Sequence, residues 1–99
     1  MGRLRATLPG LEPELEDEVS VGGDGGWVVT VFDNDYNTWD EVVMILMRAT
    51  GCGIEEANME TWEVHHLGKS VVHHGAKDEC KRAAAVITSI GIHVTVTKE

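Results

Sequence analysis

Between Trp27 and Val43 the hydrophobic pattern changes its period, and this switch constrains the fold more than any other stretch of the chain. Trp27-Val28-Val29-Thr30-Val31-Phe32 is rich in β-branched and aromatic residues and reads as a strand, with cover needed on at least part of both faces. The run stops at Asp33-Asn34-Asp35-Tyr36-Asn37, whose Asx side chains can hydrogen-bond their own backbone in a turn. Thr38 and Glu41 have the spacing of a capping box, so a helix should start at Trp39. Two carboxylates, Asp33 and Asp35, are thereby set on a strand-to-helix turn beside a buried core. Turn chemistry alone accounts for them. A carboxylate pair on rigid elements next to apolar groups also suits a cation carried on a hydrophobic body, such as a free peptide N-terminus.

The rest of the chain alternates helix and strand signals. Val42, Ile45, Leu46 and Ala49 give the first helix a buried stripe, and Gly51 and Gly53 end it. A second helix is expected from Ile54 to His65, with Ile54, Ala57, Thr61 and Val64 on one face and Gly68 as its stop. His65 falls one step past that stripe. Ser70 to His73 reads as a short strand. A third helix from Lys77 to Ser89 buries Cys80, Ala83, Ala84 and Ile87 and stops at Gly91, and His93 to Thr97 alternates as a half-exposed final strand. The expected fold class is α+β. The order is β-α-α-β-α-β, with a three-stranded antiparallel sheet packed against three helices in a sandwich.

This core domain is placed at residues 27–99, behind a flexible N-terminal extension at residues 1–26. Pro9, Gly10 and Pro13 break any helix there, the cluster Glu12, Glu14, Glu16, Asp17, Glu18 repels itself, and Gly22, Gly23, Gly25 and Gly26 form a joint. The extension is read as a disordered acidic tail, either plainly solvated or a tether to a partner. A formal charge of -9 argues against nucleic acid, which needs clustered Lys and Arg. The longest apolar run, Val42 to Met47, is too short to cross a bilayer, and no apolar stretch after Arg3 and Arg5 resembles a secretory signal. Two cysteines, Cys52 and Cys80, are few for a small secreted domain, so a reducing cytoplasm is expected.

The acidic Asx turn plus Tyr36, followed by an apolar helix, resembles the ClpS family of protease adaptors. Val64-His65-His66-Leu67-Gly68-Lys69-Ser70 resembles that family's Val-His-x-x-Gly-Lys-Ala strip, and the two motifs occur in the family's order and separation across residues 27–97. The resemblance implies a monomeric adaptor, not an enzyme and without a cofactor. Such an adaptor binds N-degron peptides with a large hydrophobic first residue and delivers them to a Clp unfoldase, through the N-terminal domain of a ClpA- or ClpC-type ATPase. It implies that Asp33, Asp35 and His65 hold the peptide's α-amino group and that Asn34 and Asn37 contact its backbone. Trp39, Val42, Ile45, Thr61 and Val64 would line the hydrophobic pocket. Asp33 stands where the family commonly has Asn, and Trp39 and Thr61 stand where members carry methionines.

Two other readings follow from the residues. The pairs His65-His66 and His73-His74 form an HH…HH pattern for a metal, although adjacent residues on a helix or strand point apart. Asp33, Asp35 and His65 form an acid-base set for an enzyme, without a nucleophile elbow, phosphate loop or metal motif beside it. A third rests on the resemblance and on the departures at Asp33, Trp39 and Thr61, which imply a Clp-associated helper domain that holds no peptide.

Overall fold

The structure is a computed structural model and describes residues 26–99 together with Glu14–Leu15. Its elements are β1 (Glu14–Leu15), β2 (Trp27–Phe32), α1 (Trp39–Thr50), α2 (Ile54–Leu67), β3 (Lys69–Gly75), α3 (Lys77–Thr88) and β4 (Val94–Lys98). β2 lies between β3 and β4 and pairs antiparallel with both, which is the expected three-stranded sheet in the expected order. The two-residue β1 adds to the outer edge of β4 in parallel, Glu14 opposite Thr95. Glu14–Leu15 and Gly26 are the part of the expected extension, residues 1–26, that falls among the described residues; residues 1–13 and 16–25 lie outside them.

Local chemistry sets the helix limits. The Thr38 hydroxyl accepts from the Glu41 N–H at 3.2 Å, and the Glu41 carboxylate accepts from the Thr38 N–H at 2.9 Å, closing the capping box. That bond and a second from the Asn37 amide hold the Glu41 carboxyl below its ordinary range. Gly51 and Gly68 follow α1 and α2 in the left-handed region, at φ 76° and 92°, which an L side chain adopts only with strain.

Every second side chain of β2, namely Trp27, Val29 and Val31, enters one core. Val72 of β3, Val94 and Val96 of β4, and apolar stripes from all three helices join it. On α3 the buried set is the expected Cys80, Ala83, Ala84 and Ile87. On α2 it differs: Ile54 is 57% exposed, while Glu60 is buried beside Ala57, Thr61 and Val64. At about 100° per residue, Ile54 falls just outside the arc that these four define, and Glu60 closes its far edge.

Backbone bonds pin the far end of β2. Phe32 N–H donates to His93 O at 3.0 Å and Asp33 N–H donates to Gly68 O at 2.9 Å. The acidic turn is thus held at one end of the sheet, between the start of β4 and the end of α2.

Candidate functional site

Asn34 organises the turn. Its Oδ1 accepts from the N–H groups of Tyr36 and Asn37, both at 3.0 Å, an Asx turn of the expected kind. Its amide donates to Asn37 Oδ1 and to Gly91 O, while the Asn37 amide donates to Ile90 O at 2.8 Å and to Glu41 Oε1. Both asparagines therefore tie the turn to the α3–β4 connection. Their side chains already have partners within the protein.

Asp33 and His65 meet across the fold. His65 Nδ1 donates to Asp33 Oδ1 at 3.0 Å, with both side chains partly open to solvent. This fixes the imidazole's orientation and, in its neutral form, leaves Nε2 as an acceptor. Asp35 is exposed in the bend and takes no hydrogen bond or ion pair among the described residues. The exposed ring of Tyr36 follows it.

Trp39 closes the seam between α1 and α2. Its indole stacks on His65 with centroids 5.3 Å apart, and its Nε1 donates to Asn58 Oδ1 at 2.9 Å. Asn58, Thr61 and His65 succeed one another at three- and four-residue steps on α2, so the indole bridges the row whose middle member is Thr61. Asn58 was not among the expected site residues. Only its distance from Trp39 in the folded chain reveals it.

The expected pocket residues divide. Val42, Thr61 and Val64 are wholly buried, and the Thr61 hydroxyl donates to Ala57 O at 2.7 Å. Ile45 lines a different groove of about 330 Å³, with Asp40, Glu41, Met44, Arg48 and Ile90. The four paired histidines do not converge. His65 goes to Asp33, His66 to the Trp62 carbonyl, His73 to Glu79 and His74 toward Glu99. That dispersal removes the HH…HH metal reading, because each imidazole faces a separate partner.

A model of the family described as ATP-dependent Clp protease adaptor protein ClpS matches residues 24–94. The chain belongs to the ClpS family. It is 28% identical over 104 residues to the ATP-dependent Clp protease adapter protein ClpS of Streptomyces avermitilis, covering 100% of this chain and 98% of that one. It is 27% identical over 82 residues to the ClpS of Rhodococcus opacus, covering 83% of this chain and 73% of the relative. Its fold is similar to that of Agrobacterium tumefaciens ClpS2, whose structure was determined bound to L-phenylalaninamide. The TM-score is 0.69 at 19% identity, over 74% of this chain and 95% of that one. As a ClpS-family member the chain is an adaptor of the Clp protease. In ClpS terms, the acidic turn and the Val64-His65 strip are the two motifs that the fold brings face to face at Asp33 and His65.

Proposed function

We propose that this adaptor holds the free N-terminus and large hydrophobic first residue of N-degron peptides and delivers them, in the cytoplasm, to a Clp AAA+ unfoldase. The observation that carries the reading is the bond of 3.0 Å between Asp33 and His65, which sets a carboxylate and an imidazole acceptor side by side at the surface. Asp33, Asp35 and His65 Nε2 accept from the α-ammonium, which is mostly charged at neutral pH because its pKa is about 7.7–8.0. Each charge-assisted bond contributes roughly 1.5–3 kcal/mol, and burial of one apolar side chain about as much again. After the cost of association these sums give roughly micromolar binding, suited to capture and release. The first side chain enters between Trp39 and the row Val42, Thr61, Val64, and the indole swings aside to admit it. Asn34 and Asn37 present the turn's backbone to the peptide. The ligand of the structurally similar ClpS2, L-phenylalaninamide, carries a free amine and an aromatic side chain and supports the same chemistry here. Residues ahead of Trp27 engage the ATPase, whose N-terminal domain, of ClpA or ClpC type, is the docking partner.

The test is fluorescence anisotropy with peptides beginning Leu, Phe, Trp or Tyr. Binding should be lost on acetylation, because an acetylated N-terminus brings no charge to the carboxylates. One observation favours a second reading, a Clp-associated helper domain: Val42, Thr61 and Val64 have no exposed surface. Binding to a Clp ATPase with no affinity for any of the four peptides would select it.

A further inference from the structure

Three ligand-bearing side chains converge at the start of α2, in its first two turns, whereas the peptide-site His65 lies in its last turn. Cys52 lies in the loop between α1 and α2, and Glu56 and Glu60 stand one turn apart on α2. The Cys52 Sγ and one carboxylate oxygen from each glutamate all lie within 4.8 Å of one another. Cys52 is half-buried and Glu56 exposed, so solvent reaches the cluster from one side. Glu60 is only 8% exposed; its Oε1 is sealed from solvent with no hydrogen-bond partner, and its side-chain bond to Glu56 exists only through a shared proton. A buried carboxylate with an orphaned oxygen, set against a second carboxylate and a thiol, is an unfavourable arrangement unless something positive joins it. Burial and the adjacent Glu56 accordingly push the Glu60 carboxyl up to about 8. The proposed peptide site does not use any of these three side chains.

We infer that Cys52, Glu56 and Glu60 form a binding site for a divalent cation of the zinc class. One thiolate and two carboxylates select a borderline-soft ion, whereas calcium or magnesium would require an all-oxygen set. Three protein ligands leave a fourth, water-filled position on the exposed side, the pattern of an open tetrahedral site. Zn–S and Zn–O bonds of about 2.3 Å and 2.0–2.2 Å place tetrahedral ligands roughly 3.3–3.8 Å apart. The three side chains therefore need to close by at most about 1–1.5 Å, within reach of rotamer adjustment at Glu56 and Cys52. Binding releases the thiol proton of Cys52 and the proton held by Glu60 to solvent. The metal would clamp the α1–α2 loop to the first two turns of α2.

Titration of the full-length chain with Co²⁺ tests this. A near-ultraviolet thiolate-to-Co(II) charge-transfer band should grow to one equivalent and be displaced by Zn²⁺. Cys52→Ser should abolish the band and Cys80→Ala should keep it, since Cys80 is buried in the core. Glu60→Gln and the exposed-site variant Glu56→Gln should each weaken Co²⁺ at least tenfold. Zn²⁺ should raise the Tm of the unmodified chain but not that of Cys52→Ser. The inference is overturned by the absence of the band, by its survival in Cys52→Ser, or by unchanged affinity in both glutamate variants. Cobalt bound by the histidines alone would show no thiolate band and would overturn it as well.

Discussion

The indole of Trp39 and the imidazole of His65 lie 5.3 Å apart with their planes inclined by 28°, so the first residue of α1 is stacked on the last turn of α2. The same indole is hydrogen-bonded to Asn58. A peptide side chain entering the seam must displace both contacts, worth roughly 0.5–1.5 kcal/mol each. Trp39→Ala is therefore expected to bind Leu- and Phe-initiated peptides about tenfold more tightly, while its Tm falls by several degrees because the same two contacts are lost to the fold. Anisotropy titrations measure this. Equal or weaker binding would show that Trp39 is part of the contact surface and not its cover.

Asp33 and His65 act as a pair in the proposed amine site. Asp33→Ala should weaken peptide binding by roughly ten- to a hundredfold, the loss of one charge-assisted bond. Asp33→Asn keeps an oxygen that accepts from His65 Nδ1, so its loss should be smaller. In a double-mutant cycle, Asp33→Ala and His65→Ala should cost less together than the sum of the single changes. Strict additivity would mean that the two residues bind the peptide independently or not at all.

Glu60 gives the fold an unusual dependence on pH. Burial first, then the side-chain bond and charge of Glu56 and the charge of Glu63, raise its carboxyl from 4.5 to about 8. Between those values the native state holds a proton that the unfolded chain has lost, so stability falls as pH rises through this window. In the presence of a chelator, Glu60→Gln should match the unmodified protein near pH 4 and exceed it by up to about 4 kcal/mol at pH 8. Urea unfolding at a series of pH values reads this difference directly. Parallel curves for the two proteins would show that Glu60 is not held protonated.

Asn34 ties the turn to itself and to Gly91. Asn34→Ala leaves the Tyr36 and Asn37 N–H groups and the Asn37 side-chain oxygen without their partner. It should lower stability by about 2 kcal/mol and weaken peptide binding through loss of the turn's shape. Thermal unfolding with a parallel anisotropy titration checks both effects. A variant that unfolds earlier yet binds normally would show that the turn is rebuilt on contact with the peptide.

The features legible in the sequence are those closed within a few residues. The Thr38–Glu41 box, the glycine stops at Gly51 and Gly68, the Asx turn at Asn34 and the stripe of α3 all rest on short-range geometry. The pairing of motifs at Asp33 and His65 spans 32 residues and was legible only through the family resemblance. Residue spacing does not report how two elements dock. The same limit explains Glu60 and Ile54, which lie at opposite margins of one helical stripe: a small rotation of α2 decides which of them is covered.

By itself, then, the sequence determined the elements, their order and the acidic turn, because capping, backbone conformation and hydrophobic period are properties of neighbouring residues. The tertiary structure alone decided that Trp39 reaches Asn58 and His65, that Asn34 and Asn37 grip the α3–β4 connection, and that Cys52 meets Glu56 and Glu60. Those contacts depend on the relative placement of packed helices, which the shared core fixes and no local pattern encodes.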